Sequence, residues 1–385
     1  MGATIGGENM GRLRVLQLIR GITIGAEAGG GEYHALRIAR FLDRTQFEAG
    51  VYAVWSHNTP LENRWRSRLQ DWEIPVFGLT PTGNGMRAAW SKLRREIKGF
   101  QPDIIHSHSE WTDTLNAGLR LARPGGFRHV HTVHLNQRWQ SRPYLRKIMD
   151  GVLLPRLIDR HVAVSQAVLD LLNQNGIPAD QSALCFNGID EAAFSPTFAG
   201  QQFLTTPLPG RAPRLGIVGR LTPQKGHDTL IAALERLFQD RPGSLLVVGD
   251  GPLKAALQDQ VEAARLAGRI HFLGVRQDVW AILRHLDLFV LPSRWEGFPT
   301  VILEAMSQHV PVIASNIPGT RELVHDGETG LLVTVDDPAE LATAMDRLLG
   351  DEKLRQRLSE QAFVHARQFT LQKMAHCYAQ IYQSV

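Results

Sequence analysis

Two cysteines, Cys185 and Cys377, are all that 385 residues contain. So low a count argues against a disulfide framework and favours a reducing compartment. No apolar run approaches the roughly 20 residues that a membrane-spanning helix needs. The opening MGATIGGENMGR is polar and glycine-rich, and the apolar run behind it is too short for a secretory leader. Short internal repeats and low-complexity tracts are absent as well, which leaves solenoids and disordered tails aside. The expectation from these absences is a cytoplasmic protein.

What is present is the composition of a soluble globular chain, 43% hydrophobic and 21% charged, and long enough for two domains with separate cores. The net charge of +4 is unevenly shared: residues 1–195 hold 23 Lys+Arg against 18 Asp+Glu, and the remainder 19 against 20. The excess is mostly arginine, in RWRSR (64–68), LRREIK (93–98) and SRPYLRK (141–147), the last followed by the apolar GVLLPRLI. Basic residues beside an apolar stretch suit peripheral association with the inner, anionic face of a membrane. Solvated helix faces carry the same composition, so both readings stand. No nucleic-acid-binding motif accompanies the charge, and no nucleic-acid partner is expected.

Apolar runs alternate with helical patterns. VLQLI (15–19), VYAVW (51–55), IPVFGL (74–79), DIIHSH (103–108), HVHTVH (129–134) and HVAVS (161–165) read as strands. Residues 192–213 carry four prolines and no period, as a linker would. The rhythm restarts with RLGIVGR (214–220), SLLVVGD (244–250), RIHFLG (269–274), DLFVLP (287–292), PVIAS (311–315) and GLLVTV (330–335). This predicts an α/β protein of two Rossmann-like domains facing each other across a cleft. The expected boundaries are 1–195 and 196–369, with a final helix over about 370–385 packing back on the first domain.

The stretch SRWEGFPTVILE (293–304) places two carboxylates eight positions apart across a loop-to-helix junction. Pro299 fits the first helical position, Glu296 the loop at a strand's carboxyl end, and Glu304 a site one turn into the helix. Ligands of open α/β sheets bind there, and a helix N-terminus favours anions. A ligand with both hydroxyls and phosphate, such as a nucleotide-sugar, suits the pair, although two isolated glutamates are more often plain surface residues. GRLTPQKG (219–226) follows another strand, so Arg220 and Lys225 can converge on an anion, the first as a fork and the second as a point charge. It is not a P-loop, and VVGDGPL (247–253) lacks the third glycine of a dinucleotide fingerprint.

Taken in order, GRLTPQKG, VVGDGPL, HFLG, SRWEGFPTVILEAM and IPGTRELVHDGETGLLV closely resemble the carboxyl-terminal half of retaining glycosyltransferases of family 4 (glycosyl transferases group 1), with the GT-B fold. The first half resembles them more loosely, through GGGE (29–32), PDIIHSH (102–108), HTVH (131–134), VAVSQAV (162–168) and NGIDEAAFSP (187–196). The resemblance implies a nucleoside-diphosphate sugar in the second domain and an acceptor in the first. It implies that Arg220 and Lys225 hold the diphosphate, that Glu304 accepts from the ribose, and that Glu296 lies by the transferred sugar. Backbone groups at Gly297, Phe298, Pro299, Thr300 and Val301 would cap phosphate or sugar, with Gly219 and Gly251 also in the donor site. His134 would reach the reacting sugar, and Gly30 and Gly31 would approach from the other side. Residues around Phe272–Gly274 would flank the base. In the glycine-rich segment, Glu32 is preferred over Glu27 as the polar member because a helix follows it.

Several of these residues have plainer readings. A histidine at a strand end is more often a packing residue, which applies to His134 beside His129 and His131. His106 and His108 form a His-x-His without further ligands at zinc spacing. Asp-x-Asp is absent, which removes the usual signature of metal-dependent nucleotide-sugar transferases. The expectation is therefore no cofactor and no metal. The implied reaction is retaining transfer of a hexose to a hydroxyl of a glycan, glycolipid or small molecule, as in surface polysaccharide or glycoconjugate synthesis. A nucleotide-sugar epimerase of the same architecture is the alternative.

Overall fold

The computed structural model describes residues 11–22, 30–122, 126–134, 157–195 and 204–385. Glu27, Gly29, the arginine-rich 141–147 and residues 196–203 of the expected linker lie outside the described residues.

The first sheet has seven strands: β1 (Leu13–Gly21), β2 (Phe47–Ser56), β3 (Val76–Pro81), β4 (Ile104–Ser107), β5 (Arg128–Val133), β6 (Arg160–Ala163) and β7 (Ser182–Leu184). Their order is β3-β2-β1-β4-β5-β6-β7, every pairing parallel. The second has β8 (Arg214–Val218), β9 (Ser244–Val248), β10 (Ile270–Gly274), β11 (Leu288–Leu291), β12 (Val312–Ser315) and β13 (Leu331–Val333), in the order β10-β9-β8-β11-β12-β13. β4, β9, β11 and β12 are buried along their whole length, as strands covered by helices on both faces must be.

The described helices of the first half are α1 (Gly30–Phe41), α2 (Pro60–Asp71), α3 (Gly85–Phe100), α4 (Glu110–Ala122) and α5 (Gln166–Gln174). The second half contributes α6 (His227–Asp240), α7 (Lys254–Ala263), α8 (Val279–Arg284), α9 (Thr300–Ser307), α10 (Pro318–Arg321), α11 (Pro338–Gly350), α12 (Glu352–Ala366) and α13 (Leu371–Gln383). Local chemistry starts several of them: Thr59 caps α2 ahead of Pro60, and Ser165 and Thr370 cap α5 and α13. α9 begins differently, with Pro299 at the cap position and no side-chain cap, one residue earlier than the sequence suggests for that proline.

β7 is the one strand the sequence reading passes over; its three residues are all half-buried at a sheet edge and show no alternation. An apolar cluster joins the two halves, running from Val164, Val168 and Ile189 to Phe298, Ile302 and Leu303. Phe186, Phe298 and Phe369 meet within it at ring separations of 5.4–5.5 Å. α13 packs on the first sheet, burying Leu371, Met374, Tyr378 and Tyr382 against Val15, Ile38 and Val162. There the two cysteines, distant in sequence, come to neighbouring positions. Cys185 Sγ donates to the Met374 carbonyl and Cys377 Sγ to that of Leu184.

Candidate active site

Each sheet reverses its strand order once, between β1 and β4 in the first and between β8 and β11 in the second. The loops leaving the carboxyl ends of those strands open a crevice where ligands of such sheets sit. After β8 come Gly219, Arg220 and Lys225, and after β11 comes the Glu296 loop. The segment after β1 leads into Gly30 and Gly31, at the start of α1.

The two loops of the second domain are tied together. Arg294 N donates to the Gln224 carbonyl at 2.7 Å, and its guanidinium reaches the Pro223 carbonyl (2.6 Å), Asp228 (2.8 Å) and Asp336 (3.0 Å). Gln224 Nε2 returns a bond to the Trp295 carbonyl at 2.9 Å. The bidentate fork of Arg294 thus fixes the turn that carries Lys225. Gly226 ends that turn at φ +64°, where an added Cβ would lie 2.0 Å from the Pro292 carbonyl, so the chain there accepts only glycine. Lys225 Nζ lies 2.5 Å from Glu296 Oε1, which also accepts from Ser293 Oγ at 2.7 Å.

A cavity of about 390 Å³ lies between the domains. From the second domain, Gly219, Arg220, Lys225, Glu296, Gly297, Phe298, Pro299, Thr300 and Glu304 line it; from the first, Gly31, His34, Arg37, His134 and Asn187. The Phe298 ring also belongs to the aromatic trio with Phe186 and Phe369. The first turn of α9 meets the cavity without a side-chain cap, leaving N–H groups to a ligand. Thr300 and Glu304, four apart, share that helix face. Gly31 lies so close to His134 that a Cβ would come within 3.0 Å of the ring. Gly30 opens α1 beside it.

Burial pulls His134 down to about 4, so the imidazole is neutral near pH 7, and its buried Nε2 has no hydrogen-bond partner among the described residues. Burial pushes Glu304 up to about 7, opposed by the Arg37 guanidinium. Glu32, in the first turn of α1, is raised by burial, while Arg20 and, across the cleft, Arg220 pull it down. The cavity therefore has a cationic wall at Arg220 and Lys225 and an acceptor at Glu304.

Two expectations shift. Gly251 is absent from the cavity wall: an added Cβ would lie 2.6 Å from the Leu221 carbonyl, so this glycine packs beneath the Arg220 loop. Phe272 is partly buried against the second core. A side cavity of about 190 Å³ beside Arg220 is lined by Gly249, Asp250, Val275, Arg276 and Val279, just beyond the expected Phe272–Gly274. His106 and His108 point into a buried hydrogen-bonded network. Among the described residues no group of three His, Cys, Asp or Glu is placed to hold a metal ion. Sequence reading missed His34 and Arg37, single residues outside the motifs, and gave no role to Asn187 and Arg294, which lie within NGIDEAAFSP and SRWEGFPTVILE but show their partners only once the fold assembles them.

Two parallel-sheet domains with a cationic crevice between them define a glycosyltransferase of GT-B type. Over residues 202–365 the chain matches the family described as glycosyl transferases group 1, and over residues 28–193 glycosyltransferase family 4. It is 31% identical over 283 residues to the UDP-Gal:alpha-D-GlcNAc-diphosphoundecaprenol alpha-1,3-galactosyltransferase of Escherichia coli, covering 68% of this chain and 70% of that one. It is 30% identical over 321 residues to the D-inositol 3-phosphate glycosyltransferase of Arthrobacter sp. strain FB24, covering 79% and 75%. The crystal structure of Anabaena Alr3699/HepE in complex with UDP-glucose superposes with a TM-score of 0.79 at 25% identity, covering 97% of this chain and all of that one. The chain belongs to glycosyltransferase family 4. Among the described residues no helix is long and apolar enough to cross a membrane.

Proposed function

We propose that the protein is a retaining, metal-independent hexosyltransferase that takes its sugar from a nucleoside-diphosphate donor, with uridine the first base to test. The observation that carries this reading is the convergence of Arg220, Lys225, Glu304, His134 and the uncapped start of α9 on one cavity. As the bond from sugar to phosphate breaks, charge grows on the diphosphate, and fixed cations and helix N–H groups stabilise it. Glu304 accepts from the ribose hydroxyls, and the small cavity beside Val275 and Val279 takes the base. Glu296 bounds the transferred sugar and holds Lys225 in place.

Retention is supported by the state of the carboxylates. Glu296, closest to the expected sugar position, is already engaged by an ammonium, a hydroxyl and Gln224, which makes it a weak nucleophile. In a front-face substitution the acceptor oxygen bonds to the anomeric carbon as the phosphate leaves on the same side. The acceptor's proton passes to the departing phosphate oxygen. A glycosyl-enzyme adduct found by mass spectrometry would exclude this course.

The acceptor is a hydroxyl of a glycan, a glycolipid or a small molecule. An anionic or membrane-held one is supported by the basic face of α3, which carries Arg87, Lys92, Arg94, Arg95 and Lys98. Incubation with UDP- and GDP-sugars tests the reading: free nucleoside diphosphate supports transfer, whereas an isomerised donor would make the protein an epimerase.

A further inference from the structure

We propose that Tyr378, on the final helix α13, is a positioning residue for His134 and acts through His34. The proposal rests on the reading of His134 as the group that reaches the reacting sugar. Seven buried side chains form one hydrogen-bonded line across the first domain, beneath the cleft. Gln17 Oε1 accepts from His108 Nε2 at 2.6 Å, and Gln17 Nε2 donates to the Tyr382 hydroxyl at 3.1 Å. The Tyr382 hydroxyl meets His106 Nδ1 at 2.6 Å, and His106 Nε2 meets Thr132 Oγ1 at 2.7 Å. Thr132 Oγ1 meets the Tyr378 hydroxyl at 2.8 Å, which meets His34 Nε2 at 3.0 Å.

A phenol or an alcohol has one proton to give, and a neutral imidazole has one donor and one acceptor. With the Gln17 amide bonded as it is, only one direction gives every buried hydroxyl proton of the line an acceptor within it. Tyr382 donates to His106 Nδ1, His106 Nε2 donates to Thr132, Thr132 donates to Tyr378, and Tyr378 donates to His34 Nε2. In that arrangement the proton of His34 itself sits on Nδ1. Burial and the neighbouring charges hold His34, His106 and His108 well below the usual histidine range, as this order requires.

The line ends against the site. The His34 ring meets His134 edge-on, with centroids 4.9 Å apart, and His108 stacks on His134 at 5.8 Å, while His34 and His108 lie 5.9 Å from each other. Together with the Gly31 backbone, where an added Cβ would lie 3.0 Å from the ring, these two histidines fix the orientation of His134 where it lines the cavity. Two tyrosines from the far end of the chain thus set the ring that orients the histidine at the reaction centre. The groups facing His34 are His108, His134 and Tyr378 from other elements and Arg37 from α1.

Tyr378→Phe keeps the ring and its packing and removes only the hydroxyl. In the folded variant, kcat should fall about ten-fold or more while the donor KM changes less than about two-fold, as expected when orientation and not binding is lost. The acid limb of the kcat profile should move toward neutral pH, because His34 freed from its donor protonates more readily and places a charge beside His134. His34→Gln, which still accepts from Tyr378, should retain more turnover than His34→Ala. If Tyr378→Phe fails to fold, Thr132→Val breaks the same line and should move kcat and the acid limb in the same direction. Wild-type kcat and pH profile in the folded variant would overturn the proposal. Nitrogen NMR of the imidazoles needs no substrate: His34 should carry its proton on Nδ1, and finding it on Nε2 would equally overturn the proposal. Full turnover in His134→Ala would instead overturn the site reading beneath it.

Discussion

Lys225 Nζ and Glu296 Oε1 stand 2.5 Å apart, joining the loop after β8 to the loop after β11 across the strand reversal of the second sheet. Both side chains are largely withdrawn from water, the glutamate almost wholly, and Ser293 and Gln224 complete the carboxylate's partners. The pair fixes the two loops while holding the ammonium where a diphosphate reaches it.

Removing either cation should therefore be costly in turnover. Arg220→Ala should lose about 2–4 kcal/mol of transition-state stabilisation, by analogy with a lost oxyanion donor. Lys225→Ala should lose as much and should also lower the melting temperature, because Glu296 keeps its charge without its cation. Steady-state kinetics and thermal unfolding of both variants check this. Unchanged turnover in both would place the diphosphate elsewhere.

Gly297 brings the second domain directly against the backbone of the first. A β-carbon there would lie 1.8 Å from the His134 carbonyl oxygen, and that contact is backbone, with no side chain to swing away. Gly297→Ala should force the domains apart, at a cost of about 1–3 kcal/mol or more. Turnover should fall with it. A variant with wild-type activity and melting temperature would show that the cleft is wider in solution.

Glu304 makes stability depend on pH. Burial pushes its carboxyl up to about 7, above its ordinary 4.5. Between these values the folded protein holds a proton that the unfolded chain has lost. Stability from this group is thus present at low pH and declines as pH rises through about 7. Glu304→Gln removes the titration, so the variant should gain in melting temperature relative to wild type between pH 6 and pH 8. A constant difference between the two proteins would contradict the buried carboxyl.

Chelation tests the cationic account of leaving-group stabilisation. With Arg220 and Lys225 supplying the charge, EDTA should leave turnover within about two-fold of the untreated protein, since the stabilising groups are side chains already in place. Loss of activity restored by a divalent cation would contradict it.

Much of this site was legible in the sequence because its residues sit in contiguous motifs at strand ends. GRLTPQKG and SRWEGFPTVILE each carry a strand terminus, a turn and a helix start, and those local rules place Arg220, Lys225, Glu296 and Glu304 beyond the carboxyl ends of strands. β7 was missed because three half-buried edge residues show no period. The close packing of Gly251 on Leu221 could not be read either, because a glycine turn after a strand looks the same whether it faces a ligand or a neighbouring loop. The line from Gln17 to His34 could not have been read, since it joins β1, β4, β5, α1 and α13, and nothing local links Tyr378 to His34.

The central claim is that a nucleoside diphosphate lies between the Arg220–Lys225 wall and the start of α9, and a crystal structure with UDP bound tests it most directly. The account predicts phosphate oxygens within hydrogen-bond distance of Arg220, Lys225 and the first-turn N–H groups of α9, with the ribose hydroxyls on Glu304. Phosphates bound away from Arg220 and Lys225, or a ribose remote from Glu304, would contradict it.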